Sequence, residues 1–241
     1  MIARRLLSAN RIALFLISLV FMPFGHAGSY LSIVDQLLSS APGLDKQVLQ
    51  HALQATQCAV TSGIEAPKRL AVIDFSLPSD KKRLWVFDLD EGSLLLNDLV
   101  AHGKNSGNRV SQYFSNKVDS HQSSIGLFQT NETYSGKHGY SLRLDGLEPG
   151  VNDRARERAI VIHGAEYVDP QWIEAHGRIG RSYGCPAVRQ EVVREVVDNL
   201  KGGQLLFTYY PDQQWLHSSS YLNCNQKTVS ITRTEKRRGN S

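Results

Sequence analysis

Ala159-Ile160-Val161-Ile162-His163-Gly164 is the stretch from which the chain is best read, together with Arg181-Ser182-Tyr183-Gly184-Cys185-Pro186 shortly after it. The first is an apolar strand whose last residues are a histidine and a glycine, so the imidazole projects from a strand end toward a cleft. The second is a tight turn carrying a cysteine. A thiol is an effective nucleophile only as the thiolate, and a nearby imidazole generates that thiolate by taking the proton. Gly184 frees the backbone to aim N–H groups at a developing oxyanion, and the amides of Tyr183, Gly184 and Cys185 are the expected donors. Ser182 is expected to hold the thiol–imidazole pair by hydrogen bonding. Pro186 fixes the exit from the turn. The constellation reads as a cysteine acyl-transfer site, with a thiol more reactive near neutral pH than an ordinary one.

Outward from that site the pattern is mainly β. Leu70–Phe75, Arg83–Asp88, Ser93–Leu96, Ile125–Gln129, Tyr140–Leu144, Ala159–His163 and Gln204–Tyr210 read as strands, separated by Gly, Asn, Asp and Ser. Two segments before them, 30–40 and 44–58, carry apolar residues at helical spacing and form an N-terminal helical pair broken at Ala41-Pro42-Gly43. Arg189–Leu200 has valines at helical spacing, and Gly202-Gly203 stops it. A helix starting at Arg189 is expected to lend its dipole to the thiolate.

The N-terminus reads as a targeting segment. Arg4, Arg5 and Arg11 precede an apolar run, Ile12–Met22, and Gly25-His26-Ala27 offers small residues for cleavage after Ala27. The run is shorter than the roughly 20 residues of a membrane span, so no stable span is expected after cleavage. An uncleaved anchor is the alternative. Losing three arginines and no acid lowers the formal charge from +4 to +1 in this chain of 241 residues. Basic residues at 233–238 fall in a tail of disordered composition. No basic stripe interleaved with aromatics marks a nucleic-acid surface. The domain limits read as a signal peptide at 1–27, a helical segment at 28–62, a catalytic domain at 63–215 and a partly disordered extension at 216–241.

Three cysteines in an exported chain leave one unpaired. Cys58 and Cys224 can bridge, leaving Cys185 free; alternatively Cys58 is a buried small apolar residue and Cys224 is free. The sequence leaves both open. His102-Gly103 repeats the His-Gly pair after a strand and is expected to line the substrate groove. His138-Gly139 and His176-Gly177 read as loop residues. A zinc site from His163, His176 and Cys185 fits no paired-ligand spacing, so no metal or other cofactor is expected.

The blocks His163-Gly164 and Gly180–Val188 resemble the murein L,D-transpeptidases, in the Gram-negative branch of the YkuD-like superfamily. The resemblance extends to Val100–Gly103, Phe114–Asn116, Ser123–Gly126, Tyr134–Leu142 and Leu147–Asp153, in the same order, over roughly 44–212. It implies a β-sandwich or flattened barrel of mixed strands. It also implies peptidoglycan stem peptides as partners in the periplasm or cell envelope. Cys185 would be acylated by a tetrapeptide stem with loss of terminal D-alanine, and an amine or water would resolve the thioester. His163, Cys185 and Ser182 carry over by position, with Gly164 on the substrate side. The chain departs from the wider pattern at Tyr183, where a histidine is common, and at Ala187, where many relatives have arginine or asparagine. Arg181 or Arg189 is then expected to supply the missing charge. Competing readings are a cysteine-dependent murein hydrolase on a different, papain-like fold and a silent murein-binding module on the same fold.

Overall fold

A computed structural model of the chain describes residues 26–224. The signal-peptide reading of 1–27 and the basic tail fall almost wholly outside the described residues. Among the described residues, no helix is long and apolar enough to cross a membrane.

Two helices come first, α1 (His26–Ser40) and α2 (Lys46–Thr61). Asp45 caps α2 by accepting the N–H groups of Gln47 and Val48, which satisfies two donors the first helical turn leaves open. Then follow β1 (Arg69–Asp74), β2 (Leu84–Asp88), β3 (Ser93–Asp98), β4 (Val100–Ala101), β5 (Gly126–Gly136), β6 (Gly139–Gly146) and β7 (Val161–Gly164). The chain ends with α3 (Pro170–His176), β8 (Ala187–Val188), α4 (Val193–Leu200), β9 (Leu205–Tyr209) and α5 (Gln213–Ser218).

All nine strands join one mixed sheet in the order β3-β2-β1-β9-β5-β6-β7-β8-β4. Its two edge strands, β3 and β4, are separated in the chain by Leu99 alone. The sheet therefore curls until its ends meet, which makes it a flattened, nearly closed barrel and removes long open edges. β1 and β9 are parallel neighbours at its centre, and side chains alternate across them. Leu70, Val72, Leu205 and Phe207 enter one core with Val34, Leu37, Leu49, Trp85 and Trp215. Ala71, Ile73 and Leu206 enter a second core with Phe128, Leu142, Ile162, Val196 and Val197. Both faces of these strands are covered, which is why they read as continuous apolar runs rather than as alternation.

The helical pair shares the first core with the sheet. Cys58 of α2 is disulfide-bonded to Cys224, across 166 residues of chain. α5 is held by buried Glu148, which accepts from Leu127 N–H at 2.8 Å, Trp215 Nε1 at 3.0 Å and Ser219 Oγ at 2.6 Å. Residues 216–224 are thus part of the packed structure, and the limit drawn at 215 falls within α5.

The helix expected from Arg189 begins at Val193 instead. After Pro186 the chain is first used as β8, between β7 and β4, and Arg189–Val192 make a turn. The start of α4 is therefore eight residues beyond Cys185 in the chain, with Val193 packed against the same core as Cys185.

Candidate active site

β7 and β8 bring the two marked stretches together. They pair in parallel with His163 opposite Ala187, so Cys185, two residues earlier, runs beside the start of β7. Its sulfur accepts the Val161 N–H at 3.5 Å and donates to the Ala159 carbonyl at 3.6 Å. Cys185 is partly buried and is the free cysteine of the chain. The turn that carries it is held by backbone on one side and serine on the other. Ser182 N–H donates to the His102 carbonyl at 3.0 Å, and Lys104 N–H donates to the Ser182 carbonyl at 2.7 Å. Ser123 Oγ accepts the Gly103 N–H at 3.0 Å and donates to the Gly184 carbonyl at 3.1 Å. Gly184 has φ +125°, a conformation that side-chain-bearing residues avoid.

Ser182 works within this turn. Its Oγ donates to the Cys185 carbonyl at 2.6 Å and accepts the Gly184 N–H at 3.0 Å. It reaches neither the sulfur nor the imidazole, and it occupies one of the three amides expected to face an oxyanion. Tyr183 and Cys185 keep their N–H groups outside that internal bonding. Tyr183 is 67% exposed. Its ring meets His121 at 4.6 Å and Lys104 Nζ at 4.3 Å.

His163 is buried. Its Nδ1 lies 2.9 Å from the Gly164 carbonyl. A carbonyl can only accept, so Nδ1 carries the proton and Nε2 is the basic nitrogen. The ring stacks on His138 of the β5–β6 turn, with centroids 4.5 Å apart and planes at 30°. No thiol–imidazole hydrogen bond closes among the described residues; both sulfur contacts are to backbone. Burial pushes the Cys185 thiol up, against the Val161 N–H and the positive charge of Arg158. Burial also lowers the His163 imidazole, with a further push from His138 and Lys137. Desolvation at this site thus opposes the groups that favour the thiolate and the imidazolium.

Three of the expected substrate residues have internal duties. His102 is not exposed at all, so it does not line a groove. Its Nδ1 is 2.7 Å from Arg83 Nη2; arginine only donates, so the proton sits on Nε2. That nitrogen faces the Gly107 and Asn108 carbonyls without closing a hydrogen bond. Burial, then the Arg83 charge, lowers its pKa to about 3. Arg181 donates to the Lys104 and Gly107 carbonyls at 3.1 and 2.8 Å. Arg189 forks onto buried Asp98 at 2.9 and 2.6 Å, which neutralises its charge and ties β8 to the end of β3. Gly164 lies on the wall of a cleft of about 380 Å³ that Lys137, His138, Glu166, Tyr167 and Gln190 also line. A Cβ on Gly164 would lie 2.3 Å from Gln190 Oε1.

Among the described residues, no group of three or more His, Cys, Asp or Glu side chains is placed to hold a metal. His176 ends α3 with its ring 4.8 Å from Trp172. Sequence reasoning missed His138 and Arg158. The first sits at a hairpin tip whose fold-back onto β7 has no local signature, and the second lies in a charged run of hydrogen-bonded turns.

A family model described as the L,D-transpeptidase catalytic domain matches residues 40–209. No curated protein sequence matches the chain. Among solved structures, an L,D-transpeptidase from Mycobacterium smegmatis is 13% identical, with TM-score 0.37 and 59% of each chain covered. One from Mycobacterium tuberculosis is 14% identical, with TM-score 0.36, covering 60% of this chain and 59% of that one. The L,D-transpeptidase from Xylanimonas cellulosilytica, residues 123–326, is 16% identical, with TM-score 0.35, covering 75% of this chain and 93% of that one. The chain thus spans about 59% of the length of the first two. At these scores it is the match over residues 40–209 that carries the relationship.

Proposed function

The chain belongs to the L,D-transpeptidase catalytic domain family, and on that premise we propose that it is an exported cysteine acyltransferase acting on peptidoglycan stem peptides. The observation that carries this reading is the parallel pairing of β7 with β8, which sets the His163 strand beside the Cys185 turn. A disulfide between Cys58 and Cys224 supports an oxidising, extracytoplasmic location such as the periplasm.

In the first half-reaction Cys185 Sγ attacks the carbonyl of the third residue of a tetrapeptide stem. His163 Nε2 takes the thiol proton as the S–C bond forms. The two side chains start without a mutual hydrogen bond, so the substrate must bring them into contact as it binds; such contacts are often open in an unliganded site. The oxyanion faces the Tyr183 and Cys185 N–H groups. Collapse breaks the C–N bond to the terminal D-alanine, whose nitrogen receives the proton from His163. In the second half-reaction an amine attacks the thioester, gives its proton to His163, and displaces the thiolate, which is reprotonated. A stem amine gives a 3→3 cross-link, a protein amine attaches that protein, and water shortens the stem.

Incubation with tetrapeptide-rich murein, followed by mass analysis, tests the reading. Free D-alanine and 3→3 linked stems are expected. Stems shortened without new links would favour trimming, and unchanged stems would exclude acyl transfer.

A further inference from the structure

Arg158 stands immediately before the strained residue that contacts the nucleophile. Its half-buried guanidinium donates through Nη1 to the Ser115 carbonyl and to Ser124 Oγ at 2.6 Å. Through Nη2 it donates to the Gln122 carbonyl and to Ser120 Oγ at 3.2 Å. All four partners are neutral. The neighbouring acid, Glu157, is paired with Arg154, and among the described residues no carboxylate forms an ion pair with Arg158. A guanidinium drawn partly out of water without a counter-ion keeps its field. That field points at the cysteine turn: a Cβ on Gly184 would lie 3.4 Å from Arg158 Nη2. The next residue, Ala159, is held at φ +53°, at a cost of about 1–2 kcal/mol for a residue with a Cβ. Its carbonyl accepts the Cys185 thiol. Two consecutive residues thus supply the acceptor for the thiol proton at rest and, beside the cysteine turn, a cation without a counter-ion.

We propose that Arg158 is a positioning residue for Cys185, whose uncompensated charge stabilises the sulfur anion once the thiol proton has left for His163 Nε2. The S–H bond breaks, the proton moves to the imidazole, and the electron pair stays on sulfur, where the guanidinium acts. Other charged or titratable groups that act on Cys185 are Lys137 on the β5–β6 turn and Tyr167 after β7, with His163 on the neighbouring strand β7. Lys137 is exposed, so solvent screens it. Tyr167 is neutral, its hydroxyl pushed up to about 12 by burial and then by Cys185. The proposal rests on Cys185 being the nucleophile, but its test needs no murein.

With Cys58 and Cys224 joined, Cys185 is the cysteine that iodoacetamide reads in the oxidised chain. Its alkylation rate is measured against pH, with Cys185→Ala as blank. Arg158→Gln is expected to react about tenfold slower at pH 7, the equivalent of one pKa unit, and to regain the wild-type rate at high pH. Ser120→Asp sets a carboxylate beside Nη2 with the guanidinium still in place, and is expected to slow the reaction in the same direction. Arg158→Lys keeps the charge and should stay within about threefold of wild type. A merely structural arginine gives the opposite sign: loosening the turn relieves burial of the thiol, and Arg158→Gln then reacts as fast as wild type or faster. That result, or Ser120→Asp at the wild-type rate, overturns the proposal. Should Arg158→Gln fail to fold, Ser120→Asp and Arg158→Lys still decide it. A chain inert on murein yet showing these shifts would remove the acyl-transfer reading and leave the role of Arg158 intact.

Discussion

Replacing Gly184 with alanine strikes the point where the cysteine turn is most tightly confined. Three effects combine. The backbone is held at φ +125°, which costs about 1–3 kcal/mol for a residue with a Cβ. The new methyl would lie 2.8 Å from the Gln122 carbonyl oxygen, 3.0 Å from Ile160 Cδ1 and 3.4 Å from Arg158 Nη2. The ends of Ile160 and Arg158 can yield, but the carbonyl belongs to a segment fixed by Ser123 and Arg158, so the turn itself must move. Together these place the loss at about 2–4 kcal/mol, or roughly 5–12 °C in Tm for a domain of this size. A displacement on the order of 1 Å at the nucleophile lowers turnover about 10²-fold. Gly150→Ala is the control. It has a similar handedness, φ +76°, but open space within 4 Å of the added carbon, so it should lose about 1 kcal/mol and no activity. Circular-dichroism melting and D-alanine release from tetrapeptide murein read the two effects. If Gly184→Ala melts with Gly150→Ala and turns over like wild type, the confinement argued here is wrong.

Removing the disulfide by a Cys58→Ala, Cys224→Ala double substitution should lower stability by up to about 5 kcal/mol, the chain-entropy value for a 166-residue separation. An unchanged urea midpoint would contradict it. His102 takes a proton in the unfolded chain below 6.5 but in the folded chain only near pH 3. Stability therefore rises with pH across that window and falls as pH drops through it. His102→Gln should lose less stability than wild type between pH 7 and pH 4 in urea titrations; an equal loss would refute the assignment. Arg189→Gln leaves buried Asp98 without its partner, at about 1–3 kcal/mol once the arginine's partial exposure is allowed for, with KM unchanged. A raised KM at unchanged stability would restore Arg189 to the substrate.

The fold was legible where burial writes a pattern. The runs at Leu70–Phe75 and Gln204–Tyr210 became central strands because both their faces are covered. The helical pair announced itself by period. β4 and β8 are two residues each, too short to carry any period, yet β8 closes the site and displaces the start of α4. At the site, local chemistry singled out Cys185, a thiol in a glycine turn, and His163, an imidazole at a strand end, and the β7–β8 pairing sets their segments side by side. The remaining roles were decided by distant partners. His102 is buried because Arg83, 19 residues away, reaches its ring. Arg189 is neutralised by Asp98, 91 residues away. His138 meets His163 only because the β5–β6 turn folds back over β7. Such contacts come from sheet closure and leave no trace in spacing.

Intact-protein mass spectrometry during reaction with a purified tetrapeptide stem tests the central claim most directly. A covalent stem adduct, one D-alanine short of the substrate, is expected on wild type. None is expected on Cys185→Ala, and on His163→Ala formation about 10²- to 10⁴-fold slower, as for a lost general base. An adduct that persists on a folded Cys185→Ala protein, or that forms at the wild-type rate without the imidazole, would contradict it.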